Sequence, residues 1–237
     1  MRLSLGAGCV AVAGLLLLAL AGPAYRLGAP LSGAFALVRW SAYLALGGAV
    51  LSLGAVLWAR RKARRGAAAV AAAGLVLGLL TAAVGYGWLR VALRAPLLHD
   101  VTTDLENPPP FKAVLTDRPA DSHSLTRTAD VDQLQRQHYP DLAPLVVAQP
   151  TRLVFDRARL VADNQGWTIV ASDPAAGRIE ATDSSWWLGF TDDIVVRLTP
   201  WGTGTRVDVR SASRRGNTDA GTNARRVRRF LAALQQP

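Results

Sequence analysis

The chain holds one cysteine, Cys9, and its first 94 residues contain no Asp or Glu. A single cysteine excludes a disulfide within the chain and a zinc site built from several thiolates. Too little apolar sequence precedes Cys9 for a lipoprotein cleavage site, so it reads as a small apolar residue of a membrane helix. Histidine is scarce as well: His99, His123 and His138 show no metal-ligand spacing. No glycine-rich phosphate loop, nucleophile elbow or zinc pattern occurs, and Ser184, Ser185, Ser211 and Ser213 have no evident histidine partner. No catalytic residue, metal or cofactor is therefore assigned.

The charge is unevenly placed. Residues 1–94 carry ten Lys or Arg, whereas residues 95–237 carry 17 basic and 17 acidic residues, so the net +10 of the chain lies wholly in its first part. A basic chain invites a nucleic-acid reading. Here the excess is interleaved with apolar helices, which excludes nucleic acid as the expected partner.

Three apolar runs, Leu3 to Ala21, Trp40 to Ala59 and Gly66 to Leu89, each approach the roughly 20 residues needed to cross a hydrocarbon core of about 30 Å. Gly74 and Gly78 form a small-xxx-small pair suited to close helix packing in lipid. "RRKARR", from Arg60 to Arg65, marks the second turn as cytoplasmic by the positive-inside rule. The expectation is an N-terminus inside, three spans, and everything after Arg94 outside. Trp40, Trp58, Tyr86 and Trp88 are read as interfacial aromatics near span ends. A cleaved signal peptide ending at Ala19 to Ala21 is the competing reading of the first run, which is long for that role. The spans hold no internal charge, which weighs against transport.

Residues 1–94 thus form a membrane domain and residues 95–237 an exported domain. The latter reads as α+β, with an antiparallel sheet of about four strands and two packing helices. After Thr151 the apolar residues Leu153, Val154, Leu160 and Val161 recur at helical spacing up to Gly166. "WTIVASD", "RIEATDS", "DIVVRLT" and "TRVDVRS" read as strands, and Asp219 to Leu234 as an amphipathic helix with Ala224, Val227, Phe230, Leu231 and Leu234 on one face and Arg225, Arg226, Arg228 and Arg229 over the rest. A turn at Gly202–Thr203 sets Arg197 opposite Asp208 and Val195 opposite Arg210. Ahead of these elements, "LHDVTTDL" alternates weakly, as a strand would. "NPPPF" is neither helix interior nor central strand, because proline fixes φ and lacks a donor. A short helix is expected near Val131 to Gln137.

"HDVTTDLENPPPF", "WWLGFTDDIVVRL" and "RVDVRSASRRGNTDAGTNARRVRRFLAAL" together resemble domain-of-unknown-function family 1499, in the same order, over His99 to Leu234. The resemblance implies a bacterial inner-membrane or exported protein, or a plant plastid one, and implies no activity; with the three spans, the expectation is a multi-pass inner (plasma) membrane protein of a bacterium with a periplasmic C-terminal domain. Its motifs fall here on Asp100, Thr103, Asp104, Asn107, Phe190, Asp192, Asp193, Val196, Arg197, Asp208, Arg210, Ser211, Ser213, Arg214, Asp219, Asn223, Arg226 and Phe230.

Two readings of the charged residues compete. In one, Asp100, Asp104 and Asp192 or Asp193 converge as a carboxylate cluster for a metal or general base, making an enzyme on an envelope or lipid-derived substrate. In the other, the domain is non-enzymatic and binds an envelope protein or a small anionic ligand, the latter at Arg210, Arg214 and Arg226 beside a helix N-terminus that Thr218 or Asp219 caps. The second is preferred. The ligand-binding candidates are Asp100, Asp104, Asn107, Asp192, Asp193, Arg197, Arg210, Ser213, Arg214, Asp219, Asn223 and Arg226, with the membrane bilayer as a further partner. Adjacent strand positions face opposite ways, so Asp192 and Asp193 are not expected to act as a facing pair. Of Trp186 and Trp187, one is expected to pack inward and the other to stay exposed.

Overall fold

The computed structural model describes residues 1–216 and 218–236. The chain forms two units, Met1–Leu93 with Trp186–Gly189, and Arg94–Ser185 with Phe190–Pro237.

Three helices make the first unit: α1 (Arg2–Arg26), α2 (Leu31–Arg61) and α3 (Arg65–Arg94). All three are long and apolar enough to cross a membrane. Both α1 and α2 outrun the apolar segments read from sequence. Arg39 and Trp40 therefore lie inside α2 rather than ahead of it or at its start. Arg39 also corrects the expectation of charge-free spans, because a helix can continue where the apolar run has stopped.

Small residues recur on the buried faces, at Ala7, Ala11 and Gly14 of α1 and at Ala45, Gly48, Ser52 and Ala55 of α2. A Cβ on Gly48 would stand 2.6 Å from the backbone nitrogen of Ala11, and one on Gly78 would stand 2.7 Å from the carbonyl oxygen of Ala45. Both approaches are closer than any side chain allows. In lipid there is little hydrophobic drive between helices, so backbone contact of this kind carries the packing.

The second unit is an antiparallel sheet with helices. Its strands are β1 (Asp100–Thr102), β2 (Leu145–Val147), β3 (Thr168–Asp173), β4 (Arg178–Ser184), β5 (Thr191–Trp201) and β6 (Gly204–Ser213). The order is β1-β6-β5-β4-β3, with β2 also paired to β6. Between these lie a 3-10 turn (Ala113–Asp117) and helices α4 (Ala129–His138), α5 (Thr151–Asn164) and α6 (Thr222–Gln235). The sheet has six strands rather than about four. β1 and β2 are three residues each, too short for alternation to show, and both add to the edge of β6.

The β5–β6 register is the expected one: Arg197 faces Asp208 and Val195 faces Arg210. Ile194, Val196 and Leu198 of β5 and Val207 and Val209 of β6 then share a face with the core under α5 and α6. Phe230 of α6 is fully buried there and stacks on Trp167, ring centroids 4.9 Å apart.

One helix is rotated from expectation. α5 buries Val154, Phe155, Ala158 and Ala162, while Leu153 and Leu160 are each 58% exposed. Two alanines permit close approach to the sheet, and alanine barely registers in an apolar pattern. Arg226 is likewise buried, on the inner side of α6, whereas the apolar pattern places it away from the core-facing side.

The other face of the sheet is covered by the segment from Asp104 to Thr128. Phe111 and Val114 pack there on Val195 and Ala212. The face that a half-buried sheet would turn to water is thus largely closed, and it carries most of the charge.

Candidate functional site

The charged side chains on that second face lie under cover, and the carboxylates among them are held by arginines. Asp100 at the start of β1 accepts two bonds from Arg210 of β6, Nε to Oδ1 at 3.1 Å and Nη2 to Oδ2 at 2.6 Å. Arg127 reaches the same carboxylate at 3.0 Å. All three side chains are about 6% exposed. Asp104 receives Arg197 at 2.8 Å and Arg206 at 2.9 Å, and these two arginines also hold Asp208. Asp193, fully buried, is held by Arg214 at 2.7 Å and by Arg118. Every side-chain cation in these pairs is arginine, whose planar fork matches a carboxylate with two parallel bonds.

The arginines also fix the proline segment. Arg210 donates to the carbonyl oxygens of Leu125 at 2.6 Å and Pro109 at 3.4 Å, with its guanidinium 5.0 Å from the Phe111 ring centroid. Arg178 donates to the carbonyl oxygen of Pro110. Prolines have no N–H to give, so their carbonyls are the handles by which this stretch is held. Two further backbone donors, the N–H groups of Lys112 (2.9 Å) and Val114 (3.1 Å), are accepted by Glu180 of β4, which is fully buried. Glu180 was not among the sequence candidates. Its only signal was a carboxylate between Ile179 and Ala181, which looks like an ordinary solvent-side position until the covering segment is placed.

Asp192 points the opposite way from Asp193, toward α6, as strand alternation requires. Arg226 bridges it at 2.7 Å and Asp183 at 2.9 Å. Beside them Asn223 is fully satisfied. Its Nδ2 donates to the Ser213 hydroxyl at 2.9 Å and to the carbonyl oxygen of His99 at 3.2 Å, and its Oδ1 accepts from Ser211 at 2.6 Å and from Arg226. Gly221 is the N-cap of α6, and Asp219, two residues ahead of it, accepts the N–H groups of Gly221 at 2.7 Å and of Asn223 in the first turn at 2.8 Å. Burial pushes its carboxyl above the usual value, and the nearby Asp192 charge adds to this against the two N–H bonds. Thr218 does not cap in the same way; its hydroxyl donates to the carbonyl oxygen of Pro96 at 2.8 Å. Asn107 is exposed and takes part only through its backbone N–H, given to Asp104 Oδ1 at 3.0 Å.

The sequence candidates therefore do come together, but as several small arginine–carboxylate clusters on two sides of a sheet. Asp100, Asp104, Asp192 and Asp193 do not converge. Among the described residues no group of three or more His, Cys, Asp or Glu is placed to hold a metal. Gln135 of α4 was also missed. It is buried, and its amide pairs with both the N–H (3.1 Å) and the carbonyl (2.6 Å) of Thr102, closing the free edge of β1.

His99 and His123 stack with ring centroids 4.1 Å apart, and His123 Nε2 donates to the carbonyl oxygen of Gly216 at 2.9 Å. Burial, together with the facing His123, Arg127 and Arg118, lowers the pKa of His99 below 6.5, outweighing Asp100. The unfolded chain thus takes up a proton at His99 before the folded one does. Stability from this residue is fully present above about pH 6.5 and is lost as pH falls through the lower folded value. The midpoint of thermal unfolding should drop over that window. His99→Gln should flatten this part of the profile; an unchanged slope in the variant would remove His99 as its source.

Three membrane-length helices followed by an antiparallel α+β domain with arginine-locked carboxylates define the class of chain. It belongs to the family described as protein of unknown function (DUF1499), whose model matches residues 100–234, more than half of the chain. No curated protein matches it.

Proposed function

We propose that this is a multi-pass inner-membrane protein of the bacterial envelope whose periplasmic domain is a non-enzymatic module that engages an envelope protein. One observation carries this reading: each carboxylate and arginine that a catalytic or anion site would need is already committed to a partner within the domain. Opening such a site would leave a buried charge without its counter-charge, at a cost of about 3–5 kcal/mol. A preorganised, closed polar interior suits a rigid platform. Leu153 and Leu160 lie seven residues apart on α5, on one side and turned outward, and offer apolar contact to a partner. The positive run Arg60 to Arg65 supports a cytoplasmic second turn, hence a domain on the other side.

A photo-crosslinking side chain placed at position 160 of the full chain in cells should give one discrete protein adduct that Leu153→Glu abolishes. No adduct, or one indifferent to Leu153→Glu, argues against this surface. In parallel, the purified chain in lipid nanodiscs should show no change in melting point with divalent metals, phosphate, nucleotides or glycerol phosphate. An anion that raises the melting point of the parent and not that of Arg214→Gln would overturn the reading in favour of a ligand site.

A further inference from the structure

Ser185 to Phe190 forms the tip between β4 and β5, and Trp186 on it is 89% exposed, a larger exposed fraction than that of Trp201 at 55%. A soluble surface has little reason to present a whole indole, since a Trp so placed keeps more than 100 Å² of apolar surface in water. Trp186–Gly189 of this tip belong with the membrane-length helices as one unit. Within that unit the Trp187 ring lies 5.9 Å from the Trp88 ring, and the Arg26 guanidinium donates to the carbonyl oxygen of Trp186. The backbone of Trp186 is thereby held while its indole faces outward, and Tyr86 (65%) and Trp88 (53%) of α3 are exposed as well. Arg26 lies in the last turn of α1, and Arg90 and Arg94 lie near the end of α3.

Strand register shows which segments share this end of the sheet. Asp100, Ala212, Asp193 and Thr182 form one row across β1, β6, β5 and β4. From that row β4 runs on to the tip, and the chain preceding β1 leaves by the same end of the sheet. Residues 95–99 lead into β1. They are tied down too: the carbonyl oxygens of Pro96, Leu98 and His99 accept the Thr218 hydroxyl, the Asp219 N–H and the Ser213 N–H at 2.8, 3.1 and 2.7 Å.

We infer that the β4–β5 tip is a lipid-interface anchor, with the Trp186 indole seated where hydrocarbon gives way to phosphate headgroups. An indole has an apolar body and a single N–H donor, and that boundary layer is where such a side chain is most favourably placed. Arginines at the same helix ends suit the phosphates. The inference rests on reading the three helices as membrane spans, but not on the protein partner proposed above.

The test uses the unaltered full chain in nanodiscs of phosphatidylcholine and phosphatidylglycerol. Hydroxyl-radical footprinting compares Trp186 with Trp201, which lies at the opposite end of the sheet. Trp186 is the more exposed in the protein alone, yet it should be oxidised several-fold less. Oxidation equal to or above that of Trp201 overturns the inference, and it would leave the tip as a surface for another protein. A second measurement reports depth. On a Cys9→Ser background, Trp186→Cys and Thr203→Cys are each labelled with an environment-sensitive fluorophore. Lipids spin-labelled near the headgroup should quench the probe at 186 several-fold more than the probe at 203. Equal weak quenching at both positions also overturns it.

Discussion

Asp100→Asn should lower the unfolding free energy of the second unit by about 3–5 kcal/mol, because it leaves two buried guanidiniums facing a neutral amide. Arg210 and Arg127 both lean on this carboxylate, and neither is open to water that could take its place. The loss should appear as hydrogen exchange of β5 and β6 amides faster by about two to four orders of magnitude, at roughly 1.4 kcal/mol per factor of ten. The paired variant Asp100→Leu with Arg210→Met separates two meanings of the pair. Replacing a buried ion pair by apolar groups is often neutral, whereas breaking it is not. The double variant should therefore be less damaged than Asp100→Asn alone. A loss below about 1 kcal/mol for Asp100→Asn would show that water screens this pair as it does a surface one. The rigid-platform reading would then lose its main support.

Phe230→Ala is expected to be as severe, at about 3–5 kcal/mol, for a different reason. The ring is fully buried between α6 and the sheet, and it stacks on Trp167 at 20° between planes. Truncation removes both its transfer energy and that stacking and leaves a cavity which flanking strands cannot close. Phe230→Leu should cost no more than about 1.5 kcal/mol, since most of the volume stays. Urea unfolding of the full chain in nanodiscs, followed through β-sheet ellipticity, measures both. Equal losses for the two variants would mean that the aromatic contact outweighs the cavity.

The hairpin shows how much local pattern can settle. Arg197 opposite Asp208 follows from a two-residue turn at Gly202–Thr203 and a side-chain period of two, and the structure has that register. α6 follows in the same way from apolar residues at a period of 3.6, and only the inward turn of Arg226 escaped. That residue looks like one of four surface arginines until Asp183 and Asp192 are brought beneath it. α5 went wrong for a related reason. Its leucines dominate any apolar pattern, yet alanines occupy the tight side against the core. β1 and β2 exist because β6 offers them an edge, and their own three residues say little. Glu180 could not be recognised as buried while the segment that covers it had no position.

Periodicity, charge runs and proline chemistry act between near neighbours. The chain alone therefore fixed the three apolar helices, the division of charge at Arg94, the amphipathic last helix and the register of the central hairpin. The pairing of Asp100 with Arg210 spans 110 positions, and that of Glu180 with the Lys112 and Val114 N–H groups spans 68 and 66. Such contacts depend on the strand order β1-β6-β5-β4 and on the path of the proline segment across it. Folding alone decided which arginine meets which carboxylate, because any of several would match in chemistry and only the packed sheet selects among them.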